Sequence, residues 1–163
     1  MRTNAARLFN CAAASHNDGM DRRRRVRLCV SLILLGLGNF LVYAIIYASI
    51  GGDAPNGEIR TDLATGQRVY YVKGHFIHRL IGYEQDVPRW VWMYSFIHSI
   101  SIWPSIAAVL LAMLALARPH IIATYQNGMM TGATLVTVLA TTIVIITSLI
   151  MISFIIEFVQ LAA

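Results

Sequence analysis

Charge is scarce in this chain. Asp, Glu, Lys and Arg make up only 13% of its 163 residues, against 57% of the apolar and aromatic class. A soluble domain averages about 25% charged residues. The imbalance excludes a disordered chain, a coiled coil and an ordinary soluble enzyme. Cysteine is scarce too. Cys11 and Cys29 are the two present, neither in a C-x-x-C pair. Both are expected on the reducing side of a membrane, where no structural disulfide forms. Leu28-Cys29 does not read as a lipoprotein site, because Arg27 immediately precedes it. The sequence also lacks a P-loop, G-x-G-x-x-G, G-x-S-x-G, H-E-x-x-H, a paired acidic cluster and an internal repeat. No reaction and no cofactor is named by any motif.

What the chain has is three long apolar runs. Leu28 to Ile50 carries no charge over 23 residues, roughly 35 Å as a helix and enough to cross a bilayer. It is too long for a signal-peptide core, and no Ala-x-Ala site follows, so it reads as an uncleaved anchor. The second run spans residues 90–117, with Trp90, Trp92 and Tyr94 as an aromatic belt at one end. Pro104 lies midway and predicts a kink, and Arg118-Pro119-His120 closes the run. The third spans residues 129–158, longer than the hydrocarbon core requires. The expected fold class is an all-α membrane protein of three transmembrane helices. A polar segment at 1–27 is expected to be disordered, with Met20 as a second candidate start. Residues 118–128 form a short connection and 159–163 a short tail.

The net charge is +5, with a pI near 9.6. The excess sits before the first run, at Arg2, Arg7, Arg22, Arg23, Arg24, Arg25 and Arg27, against Asp18 and Asp21. Residues 51–89 are neutral: Arg60, Arg68, Lys73, Arg79 and Arg89 face Asp53, Glu58, Asp62, Glu84 and Asp86. Arginines beside a span mark the cytoplasmic side and attract anionic headgroups. The N-terminus is therefore expected inside, with residues 51–89 and the C-terminus outside, in a bacterial inner membrane. Arg22–Arg25 and Arg27 are the expected membrane-surface residues. No aromatic interleaving or binding motif accompanies them, which argues against nucleic acid.

Residues 51–89 are the only sizeable polar loop. Gly51-Gly52-Asp53-Ala54-Pro55-Asn56-Gly57 reads as a helix stop and turn. Glu58-Ile59-Arg60 and Arg68 to Val72 flank an Asp/Gly-containing turn, which predicts a small hairpin. Two strands alone are marginal in water, so the hairpin must lean on helix ends, the membrane surface or a partner. Asp86 and Pro88 read as the cap and first turn of the second span.

Three groups of residues stand out. Gly128 and Gly132 form a G-x-x-x-G, followed by Thr131, Thr134, Thr137 and Thr141 on the same run. Small residues and hydroxyls in that pattern point to a helix-packing face, with Gly36, Gly38, Ala44 and Ala48 of span one as mates. Tyr94, His98, Ser101 and Ser105 form an i, i+4, i+7, i+11 polar stripe. His98 is the only histidine inside a span; Tyr43, Tyr47, Ser153 and Glu157 fall at similar depths. His98, Tyr94 and Glu157 are therefore the candidate cofactor or proton-handling residues. A bis-histidine haem within one copy is excluded, because His120 lies roughly 33 Å from His98 along the helix. His75 and His78 are a weak candidate metal pair, since they face opposite sides of a strand.

The leading expectation is a non-enzymatic accessory or assembly subunit of a larger membrane complex, partnered by other membrane subunits or by copies of itself. A redox or proton-handling subunit using His98 is the second. A self-associating channel or carrier protomer is the third, disfavoured by the low charge of the spans.

Overall fold

The computed structural model describes residues 3–74, 84–126 and 130–162, with side chains described from Asp21 to Leu161 within those ranges. In chain order the elements are α1 (Thr3–Ile50), β1 (Asp53–Thr61), β2 (Arg68–Lys73), β3 (Glu84–Val87), α2 (Arg89–Thr124) and α3 (Gly132–Ala162). Three helical stretches are long and apolar enough to cross a membrane: Asp21–Ile50, Arg89–Thr124 and Gly132–Leu161. Their apolar side chains largely point outward, as they do when lipid rather than protein is the surrounding medium.

Helix α2 is the centre of the arrangement. Both α1 and α3 pack extensively on it, whereas no comparable α1–α3 packing is found among the described residues. Near the C-terminal end of α2, Gly132 lies tight against it: a Cβ there would come within 2.6 Å of the Ile122 Cα. Gly36 packs against Val109 and the Ser105 carbonyl, also on α2.

The chain leaves α1 through two glycines. The N–H groups of Gly51 and Gly52 both donate to the Tyr47 carbonyl at 3.0 Å. Gly51 sits at φ 83°, the left-handed conformation that commonly ends a helix and favours glycine. Strands β1, β2 and β3 then form one antiparallel sheet in that order. Glu58 pairs with Tyr71 and Tyr70 with Val87. The β1–β2 turn is closed by Asp62 N–H donating to the Gln67 carbonyl at 2.9 Å. Gly66 there has φ 69°. Arg60 braces the sheet surface through ion pairs to Glu58 and Glu84 and lies 4.8 Å from the Tyr71 ring centroid.

The hairpin leans on the helix ends. Ala54 and Val72 from the sheet and Trp92 and Phe96 from α2 make one buried cluster. Phe158 of α3 joins it, 5.2 Å from the Phe96 ring. This small core explains why so short a sheet persists at the end of a bundle.

Several expectations need correction. The fold is mostly helical but not all-α, since β3 adds a third strand. Asp86 is not a helix cap; it lies in β3 opposite Tyr71. The helix starts instead at Pro88, whose φ −57° and ψ 146° end the strand and whose carbonyl accepts from Val91 and Trp92. Trp92 is no lipid-facing belt residue. It is 1% exposed because the sheet covers it, whereas Trp90 is 72% exposed. Pro119 does not end α2, which continues to Thr124. Helix α1 includes the backbone from Thr3; Ala5, Ala6 and Ala12–Ala14 favour that conformation.

Candidate functional site

Asn39 of α1 and His98, Ser101 and Ser105 of α2 meet at the α1–α2 seam. Ser101 Oγ donates to the His98 carbonyl at 2.7 Å, and Ser105 Oγ donates to the Ser101 carbonyl at 2.8 Å. Both hydroxyl protons are thereby used. The two oxygens can only accept from Asn39 Nδ2, which lies 3.4 Å from Ser101 Oγ and 2.8 Å from Ser105 Oγ. That fixes the amide: its NH2 faces the serines and its oxygen faces His98. Asn39 Oδ1 is 3.2 Å from His98 Nε2. An amide oxygen only accepts, so Nε2 carries the proton. In the neutral imidazole, Nδ1 is then a bare lone pair. It is buried and has no hydrogen-bond partner. Tyr43 and Tyr94 flank the ring edge-on, at centroid distances of 5.7 and 5.6 Å.

One turn nearer the sheet, the same seam fastens the loop. Tyr43 OH donates to Asp53 Oδ2 at 2.8 Å, and Asn56 Nδ2 donates to Asp53 Oδ1 at 2.5 Å. Asp53 is 6% exposed, and a carboxylate so placed needs those two donors. Beside it, the Ala54 N–H donates to Ser95 Oγ at 3.1 Å, and Ser99 Oγ donates to the Ser95 carbonyl at 2.9 Å. The first residues of β1 are thus tied to both α1 and α2.

The structure brings Tyr94 and His98 together but leaves Glu157 apart. Phe96 faces α3, through Phe154 and Phe158. His98 lies roughly 200° farther round α2, facing α1. Glu157 is exposed on α3. His75, His78 and Gly128 lie outside the described residues. Among the described residues, no group of three or more His, Cys, Asp or Glu side chains has the arrangement of a metal site. Cys29 is a free buried thiol.

The packing residues also sort differently than expected. Gly132 is a contact point, but with Ile121 and Ile122 of α2 rather than with α1. Thr134 and Thr141 are exposed. Thr134 instead helps start α3: its N–H donates to Thr131 Oγ1 at 3.2 Å. Gly38 has open space around it.

Sequence reasoning missed Asn39, Asp53, Ser95 and Ser99. Asn39 was detectable as the only side-chain amide in a charge-free run of 23 residues. Asp53 was hidden inside a turn signal, where aspartate is expected for local reasons. Comparison with protein-family models, with characterised proteins and with solved structures finds no match, so the geometry of the α1–α2 seam carries the functional reading by itself.

Proposed function

We propose that this chain is a non-catalytic accessory or assembly subunit of a larger membrane complex, with its three-stranded sheet held outside the bilayer as the docking element. One observation carries the reading. The Ser101 and Ser105 hydroxyls and the Asn39 amide are spent on joining α1 to α2, and Tyr43 and Ser95 are spent on fixing the start of β1. Such a network positions a small sheet rigidly. The arginines that precede the charge-free stretch of α1 support an N-terminus on the cytoplasmic side and the sheet on the opposite face. A bacterial inner membrane fits the short connections.

Native mass spectrometry after gentle extraction from the source membrane tests this. Stoichiometric additional subunits are the expected result, with the sheet crosslinking to them. A lone chain carrying a small-molecule adduct would overturn it.

A redox or proton-handling role is the second reading, favoured by the buried, unpartnered Nδ1 of His98. Under that reading His98→Phe abolishes activity of the assembly while its abundance holds. Equal loss of both would assign His98 to packing alone.

A further inference from the structure

We propose that the arginines at the start of the first membrane-spanning stretch form a binding site for the phosphodiester of an anionic phospholipid, centred on Arg23 and Arg27. This goes beyond the docking role and rests only on the reading of α1 as membrane-spanning. Arg22, Arg23, Arg24, Arg25 and Arg27 are all exposed on α1. Five cations within six residues repel one another, and like charges at i, i+4 destabilise a helix. Among the described residues the ion pairs involve Arg60 and Lys73, not these five; in sequence only Asp18 and Asp21 stand beside the run, two acids against five bases.

The side chains leave two clefts with lipid-like chemistry. One, of about 470 Å³, is lined by Arg22, Arg23, Val26 and Arg27. The other, of about 580 Å³, is lined by Arg23, Arg24, Arg27, Leu28 and Ser31. Arg23 and Arg27 belong to both. Arg24, Arg27, Leu28 and Ser31 share an i, i+3, i+4, i+7 face, so the second cleft runs from cationic to apolar at the point where the charge-free stretch begins. A guanidinium offers a planar fork of donors that matches a phosphodiester. The apolar side chain in each cleft, Val26 in the first and Leu28 in the second, suits the first carbons of an acyl chain. A free phosphate has no use for an apolar contact, and a nucleic acid would need aromatic stacking surfaces that these clefts lack.

The test uses the full chain in vesicles of phosphatidylcholine mixed equally with phosphatidylglycerol. Retained lipids are counted by native mass spectrometry. The wild type is expected to keep phosphatidylglycerol selectively. An R23Q/R27Q variant should bind it about 30-fold more weakly, from the per-residue attraction of basic groups to anionic surfaces. R60Q/R68Q, in the loop, should bind as the wild type does. Glutamine keeps helix propensity, so the variant still folds. Selectivity unchanged in R23Q/R27Q, or no selectivity in a firmly inserted wild type, overturns the proposal. So does displacement of the lipid by inorganic phosphate, which would mark a free-phosphate site, or preferential binding of an RNA oligonucleotide. Release of the wild type by alkaline carbonate would instead overturn the membrane-spanning reading itself.

Discussion

Asn39 Oδ1 accepts from His98 Nε2 at 3.2 Å, across the seam between two helices whose sequence positions are 59 apart. The amide is held by two serines from the same helix as the histidine, so the imidazole tautomer is set by residues that do not touch its other nitrogen. In ¹⁵N NMR of ring-labelled protein, His98 should appear as a single Nε2–H tautomer with an unprotonated Nδ1. A mixture of tautomers would mean that the amide is not fixed.

The same contact has an energetic signature. A double-mutant cycle of Asn39→Leu and His98→Phe should give a coupling of about 0.6 kcal/mol and no more than roughly 1.7 kcal/mol, the range for interhelical polar pairs in membranes. Reversible unfolding in mixed micelles measures it. Asn39→Leu alone should cost more than His98→Phe alone, because it also removes the donor to Ser101 and Ser105.

Gly36 and Gly38 should respond oppositely to alanine. At Gly36 an added Cβ meets the Val109 side chain and lies 3.2 Å from the Ser105 carbonyl. Overpacking of that kind costs about 1–3 kcal/mol. At Gly38 nothing lies within 4 Å, so Gly38→Ala should be neutral or slightly stabilising through helix propensity. Thermal unfolding in one detergent compares the two directly.

Ser95→Ala leaves the Ala54 N–H buried with no acceptor. The cost should be about 1–3 kcal/mol, and the sheet should loosen before the helices do. Protease cleavage within residues 51–74 should accelerate while α2 stays protected. Uniform susceptibility along the chain would argue against a local role.

The β1–β2 turn should weaken in acid. Asp62 accepts from the Thr65 hydroxyl at 2.7 Å and from the Ala64 N–H at 2.9 Å. These bonds hold its carboxyl below the usual carboxylate range. A group depressed in the folded state stabilises above its unfolded value, and that contribution is lost as pH falls through the folded one. The protection of the Ala64 amide, its exchange rate corrected for the intrinsic pH dependence, should therefore be lower in strong acid than near neutrality. Asp62→Asn should flatten that dependence. Unchanged protection in the wild type across this range would contradict it.

Much of the architecture was legible in the sequence because bilayer thickness makes long apolar runs diagnostic. The hairpin was legible from β-branched and aromatic residues around Asp62 and Gly66. The third strand was not. Glu84-Gln85-Asp86-Val87 has no alternation and little β-propensity, and it is a strand only because β2 offers it an edge. Trp92 read as an interfacial anchor, since nothing local says that a sheet will cover it. In the seam, His98 and Tyr94 stood out by type and spacing. Their partner Asn39 came from another helix, and Glu157 was paired with His98 by depth alone. Depth along a helix can be counted from sequence. Direction around it depends on which neighbour packs where, and α2 turns Phe96 to α3 and His98 to α1.

The central position of α2 has a consequence for how the protein is made. Among the described residues the three strands precede α2, and the extensive helix packing of α1 is made there. A chain that has emerged through residue 126 already contains both halves of the Asn39–His98 and Ala54–Ser95 bonds and the complete sheet. Only Phe154, Phe158 and their neighbours on α3 are missing from the small core. Helix α3 thus arrives at a surface already bonded between α1, the sheet and α2, and completes its aromatic core.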